Sequence, residues 1–186
     1  MKKKIFLVLI TLTLAILACS VFVGGPDYPA TPIPVSTTAA QSLKTQVTHA
    51  AATAVTTGTI TLKITEEQLT SYLTVYLQSQ PNLPIINPQV QLQNGQMKLL
   101  GKVQQGVFSA NVSMTMTVGV DQNGRPSINI TQQDFGPIPA PKGLNEAVSA
   151  FLAEALTGSL GPAATGFRLE SISITNGVMI VTGRTR

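Results

Sequence analysis

Cys19 is the only cysteine in a chain of 186 residues, and its sulfur is the strongest nucleophile the sequence carries. As the only cysteine it has no partner in the chain for a disulfide, a cysteine zinc site or a dithiol redox reaction. His49, the sole histidine, stands among alanines and threonines with no acid close by to orient it, and reads as a solvent-facing or packing residue. Of the eight acids, Glu66, Glu67, Asp121, Glu146 and Glu154 have surface or capping readings. The sequence contains no cluster with metal-ligand spacing, no serine–histidine–acid set and no glycine-rich phosphate loop. These absences predict a protein that is not an enzyme and uses no metal or cofactor. Asn111-Val112-Ser113 and Asn129-Ile130-Thr131 have the form of glycosylation sequons, but both fall within predicted strands and read as ordinary polar-face residues.

The surroundings of Cys19 say what the sulfur is for. Lys2, Lys3 and Lys4 precede an apolar run from Ile5 to Ala18, broken only by Thr11 and Thr13. This is the pattern of a signal peptide, too short to span a bilayer core of about 30 Å as a stable anchor. Ile16-Leu17-Ala18 before Cys19 resembles the lipobox of bacterial lipoproteins, which implies cleavage at residue 18 and a diacylglyceryl thioether on Cys19, usually joined by a third acyl chain. At about 0.8 kcal/mol per buried methylene, such an anchor holds a protein durably on a membrane. The expected location is the cell envelope, on the outer side of the cytoplasmic membrane or on the outer membrane; Ser20 is not the aspartate associated with inner-membrane retention.

Removing the first 18 of 186 residues leaves 168, enough for one domain. Three of the twelve basic residues leave with the signal, so the mature chain balances nine Lys/Arg against eight Asp/Glu. A net charge near zero provides no footprint for nucleic acid and no polybasic patch for anionic lipid. Residues 19–35, punctuated by Gly24, Gly25, Pro26, Pro29, Pro32 and Pro34, read as a flexible tether, and 36–186 as a single α+β domain.

Within that domain, Leu43, Val47, Ala51 and Ala54 recur at helical spacing over Ser36 to Thr56. Gly58 to Ile64 alternates as a strand, and Thr65-Glu66-Glu67-Gln68 forms a capping box. Ile64 and Leu69 stand where a hydrophobic staple needs them, and Leu69, Tyr72, Leu73, Tyr76 and Leu77 make an apolar stripe ending before Pro81. A second stripe, Leu144, Val148, Phe151, Leu152, Ala155 and Leu156, predicts another helix, stopped by Gly158, Gly161 and Pro162.

Between these helices the chain reads as a β-meander. A two-residue turn at Asn94-Gly95 pairs Leu92 with Met97 and Val90 with Leu99, all on one face. From Phe108 to Val120 every even position is apolar, predicting a thirteen-residue strand about 43 Å long. A three-residue Gln122-Asn123-Gly124 loop pairs Val118 with Ile128 and Met116 with Ile130. A closing hairpin about Asn176-Gly177 pairs Ile174 with Met179 and Ile172 with Val181. A long antiparallel sheet curls, and around a helix it leaves either a filled core or an elongated apolar groove; periodicity is compatible with both.

From about Thr59 to Gly183 the order of elements resembles the bacterial LmeA-like and YpmS-like families, with or near the tubular lipid-binding (TULIP) proteins. The resembling residues are Ile64-Thr65-Glu66-Glu67-Gln68-Leu69, Val90 to Gly95 with Met97 to Gly101, the Val107–Val120 strand, Phe135-Gly136-Pro137-Ile138-Pro139 before a helix, and Leu169 to Gly183. The resemblance implies a TULIP-like half-barrel, a curved meander around amphipathic helices that shelters acyl chains, with a phospholipid or fatty acyl ligand. The basic residues that would fix a phosphate headgroup are missing. The expected channel is lined by Val90, Leu92, Met97, Leu99, Phe108, Ala110, Val112, Met114, Met116, Val118, Ile128 and Ile130, and covered by Leu144, Val148, Phe151 and Leu152. The rival expectation is an envelope scaffold whose same face is packed solid.

Overall fold

The computed structural model describes residues 20–80, 83–156 and 167–185. The signal peptide expected over 1–18, the lipid attachment at Cys19 and the helix stop at Gly158, Gly161 and Pro162 lie outside the described residues.

Among the described residues, three helices form where the apolar stripes predict them: α1 (Thr37–Thr57), α2 (Glu66–Gln78) and α3 (Leu144–Leu156). Ser36 caps α1 by accepting from the Ala39 N–H at 3.3 Å, and Gly58, at φ 73°, ends it by donating to the Ala54 carbonyl. The capping box of α2 is complete, with Gln68 N–H donating to Thr65 Oγ1 at 3.2 Å and Thr65 N–H to Gln68 Oε1 at 3.0 Å. Its staple residues Ile64 and Leu69 are both fully buried.

The strands are β1 (Val21–Phe22), β2 (Thr59–Thr65), β3 (Ile85–Gln93), β4 (Gln96–Gln105), β5 (Phe108–Val120), β6 (Pro126–Asp134), β7 (Phe167–Thr175) and β8 (Val178–Thr185). They make two sheets: a five-stranded one built on the meander β3 to β6 with β1 added, and a three-stranded one in the order β2-β8-β7. Every cross-strand pair expected from turn arithmetic is present: Leu92 with Met97, Val90 with Leu99, Val118 with Ile128, Met116 with Ile130, Ile174 with Met179 and Ile172 with Val181. The fold is α+β, a curled antiparallel half-barrel with helices on its apolar side.

Among the described residues, two backbone hydrogen bonds stitch the sheets together. Gly177 N–H donates to the Leu92 carbonyl at 2.8 Å, and Leu169 N–H donates to the Gly124 carbonyl at 3.1 Å. The open edge of β3 is capped by α2, where Thr70 Oγ1 accepts from Val90 N–H at 3.0 Å and Glu66 Oε1 from Leu92 N–H at 2.6 Å. Unpaired edge groups are costly when covered, and these side chains satisfy them.

The segment expected as a tether, residues 19–35, is described from residue 20 onward and lies against the domain. Residues 20–35 form a strap across the outer face of the meander. β6 pairs with β5 only from Ser113 onward, leaving the edge of β5 open at residues 108–111. β1 fills it in parallel, Val21 opposite Phe108, with Val23 N–H donating to Ser109 and Asn111 N–H to Gly24. The strap then crosses the sheet: Asn111 Nδ2 donates to the Pro26 carbonyl, Tyr28 Oη to the Asn87 carbonyl, and buried Gln89 clasps Ile33 by both its amide groups. Burial raises the Tyr28 phenol above its ordinary pKa. Gly25 serves close approach here, since a Cβ on it would fall 2.1 Å from the Asn111 carbonyl oxygen.

Candidate functional site

The apolar sides of α1, α2, α3 and the meander share one core. Within it lies an apolar cavity of about 40 Å³ between α2, α3 and the β3–β5 part of the sheet. Leu73 and Leu77 come from α2, Ile85 and Pro88 from β3, Leu99, Leu100 and Gly101 from β4, Val112, Ser113 and Met114 from β5, and Leu144, Ala147 and Val148 from α3; Phe135 closes one side. Gly101 makes room for Ile85, because a Cβ there would stand 2.8 Å from Ile85 Cγ2. An open groove of about 490 Å³, lined by Val35, Thr74, Gln78, Ile86 and Asn87, shares Leu77, Ile85 and Pro88 with the cavity.

The roof of the cavity is α3, a helix whose apolar stripe faces inward. Its Phe151 lies against two tyrosines of α2, with ring centroids 5.8 Å from both Tyr72 and Tyr76. Tyr72 Oη donates to Glu154 Oε1 at 2.7 Å, and Gln133 Nε2 to Asn145 Oδ1 at 2.9 Å. Lys44 Nζ sits 5.4 Å from the centroid of the Tyr72 ring on its way from α1. Charge therefore stays at the rim, and the cavity wall is almost entirely hydrocarbon.

Of the expected channel residues, Leu99, Val112, Met114, Leu144 and Val148 line the cavity. Val90, Leu92, Met97, Met116, Phe151 and Leu152 are fully buried in close packing, with Val118 and Ala110 nearly or wholly buried beside them. Ile128 and Ile130 on β6 are half-buried against the core. Phe108, at the start of β5, is 49% exposed and does not line the cavity. Between the two alternatives left open by periodicity, most of the face is filled core, and the free space contracts to the end beneath α3. Beyond the expected residues the wall holds Leu73, Leu77, Ile85, Pro88, Leu100, Gly101, Ser113, Phe135 and Ala147, of which the apolar stripe of α2 points to Leu73 and Leu77.

Among the described residues, no group of three His, Cys, Asp or Glu is placed to hold a metal ion. His49 is exposed on α1. No described helix is long and apolar enough to cross a membrane.

These features define an α+β protein with an apolar cleft roofed by an amphipathic helix. The chain belongs to the LmeA-like phospholipid-binding family, whose profile matches residues 22–184. No curated protein matches it. A solved structure to which it is similar is that of a lipopolysaccharide binding protein, at 11% identity and a TM-score of 0.31. That alignment covers 69% of this chain and 50% of the other, so the chain spans half the length of that protein.

Proposed function

We propose that this chain is a non-enzymatic lipid carrier of the cell envelope, anchored through acyl groups on Cys19, which holds the hydrocarbon part of a phospholipid-like molecule beneath α3. The observation that carries the reading is the cavity itself: a hydrocarbon-walled space under a helical roof, in a chain of a phospholipid-binding family. About 40 Å³ accommodates a water or two and no acyl chain, so loading requires α3 to lift and the lipid to take its place against β4 and β5. The shared wall at Leu77, Ile85 and Pro88 supplies an entry from the surface groove.

The test is gentle purification from a bacterial host followed by mass spectrometry of the organic extract, together with titration of a fluorescent fatty acid. A co-purifying lipid and saturable uptake of the fatty acid support the reading. The close packing of Met97, Met116, Phe151 and Leu152 favours a second one, an envelope scaffold that presents its Ser/Thr/Gln-rich exterior to a protein. A lipid-free protein that admits no fatty acid would overturn the carrier reading and leave the scaffold standing. Acylation is checked separately, by the mass of the peptide that begins at Cys19.

A further inference from the structure

A cluster of exposed apolar residues stands apart from the cavity. Val21 is 51% exposed, Phe22 58%, Val107 57% and Phe108 49%, while the core behind them is closed. All four gather at one corner of the large sheet. Val21 pairs with Phe108, Phe22 with Ser109, and Val21 N–H donates to the Val107 carbonyl at 2.6 Å. Partners in register share a face and neighbours alternate, so Val21 and Phe108 project from one side of the sheet and Phe22 from the other, with Val107 at the turn between β4 and β5.

We infer that this corner embeds in the bilayer interface and fixes how the domain stands on the membrane, an inference that rests on the reading of Cys19 as the acylated residue. Apolar side chains on both faces of a corner suit a fluid medium that closes around them. Charge agrees. No charged side chain occurs from Ser20 to Pro26 or from Val103 to Val120, so embedding the corner desolvates no ion. Position agrees too: Cys19 precedes Val21 by two residues, about 7 Å of extended chain, and Val21 is hydrogen-bonded to the sheet. An acyl group on Cys19 thus brings the bilayer to this corner before any other part of the fold.

The consequence is a short path for the ligand. Val112, on the cavity wall, lies four residues along β5 from Phe108, about 13 Å away. A corner set in the bilayer would hold the surface groove, which shares Ile85 with the cavity at the same end of the sheet, close to the lipid.

The chain contains no tryptophan, so a single introduced indole reports its own surroundings. Full-chain acylated protein carrying Phe108→Trp, and separately Val55→Trp, is reconstituted on phosphatidylcholine–phosphatidylglycerol vesicles that include a brominated phosphatidylcholine. Val55 is 74% exposed near the end of α1, close to the Gly58–Thr185 link of the other sheet. Flotation reads the anchor and quenching reads the corner. The expected result is flotation of both variants, with at least twofold stronger quenching and a blue-shifted emission for the indole at position 108. Flotation with equal or absent quenching at the two positions overturns the inference and leaves the anchor standing. Protein that stays in the aqueous layer with an unmodified Cys19 overturns the anchor, and this inference with it. Phe22→Trp carries the same readout should Phe108→Trp fail to fold.

Discussion

Phe151→Ala separates a roof that lifts from a helix that is merely core. Phe151 is wholly buried between Tyr72 and Tyr76 and does not line the cavity, so truncating it loosens α3 without altering the cavity wall. A buried Phe→Ala change costs about 3–5 kcal/mol, which in a domain of this size lowers the melting temperature by roughly 6–20 °C. If lipid binds only when α3 is raised, its apparent affinity is scaled by the raised fraction, and each 1.4 kcal/mol taken from closure tightens binding about tenfold until that fraction saturates. The expected outcome is a lower melting point together with a fatty-acid dissociation constant smaller by about one to two orders of magnitude. Circular dichroism melts and fluorescent fatty-acid titration measure the two effects on the same samples. A lower melting point with unchanged uptake refutes the lid.

Met116→Trp, at a fully buried position away from the cavity, should destabilise the fold by about 1–3 kcal/mol in chemical denaturation while uptake by the remaining native protein stays the same. Glu66→Ala removes the acceptor for Leu92 N–H and should cost about 1–3 kcal/mol, whereas Glu66→Gln, which keeps an acceptor oxygen, should cost clearly less; equal losses would place the effect elsewhere. The Asp121 carboxyl is held below its ordinary pKa first by the backbone N–H of Arg125, which outweighs the opposing effect of desolvation, and then by Asn123 and the Arg125 charge. Its folded pKa lies below its unfolded one, so its stabilising effect is present above the unfolded value near 4 and is lost as pH falls through the folded value. Carboxyl NMR should place its midpoint below that of a free aspartate, and Asp121→Asn should abolish this part of the acid dependence.

Much of this fold could be read from the residues because its local signals agree with its tertiary ones. The capping box at Thr65, the turns at Asn94-Gly95 and Asn176-Gly177, and the even-numbered apolar face of β5 each fix a register, and each register buries the same set of side chains. The strap was not legible because glycine and proline mark close approach as well as freedom. Gly25 is required by contact with Asn111, and the clasp of Gln89 on Ile33 joins residues 56 apart with no local trace. Nor could alternation separate Met116, in tight packing, from Met114, on the cavity wall: they sit two residues apart on one face. What distinguishes them is the position of α3 above the sheet, a long-range fact that the period of a strand does not encode.

A nearly filled interior is compatible with carrying lipid if the lipid replaces the roof. Lifting α3 exposes Leu144, Val148, Phe151 and Leu152, all buried in the closed form. At about 1.5–3 kcal/mol each, that withdraws roughly 6–12 kcal/mol of hydrophobic stabilisation. An acyl chain of sixteen carbons laid on the same surface restores about 13 kcal/mol at 0.8 kcal/mol per methylene if it comes from water, and almost none of that if it comes from a bilayer, where it is already out of water. On the proposed reading, exchange with a membrane is therefore balanced only if the apolar face of the raised α3 is itself kept from water by the bilayer. A carrier of this build should open its roof against a lipid surface and stay shut away from one.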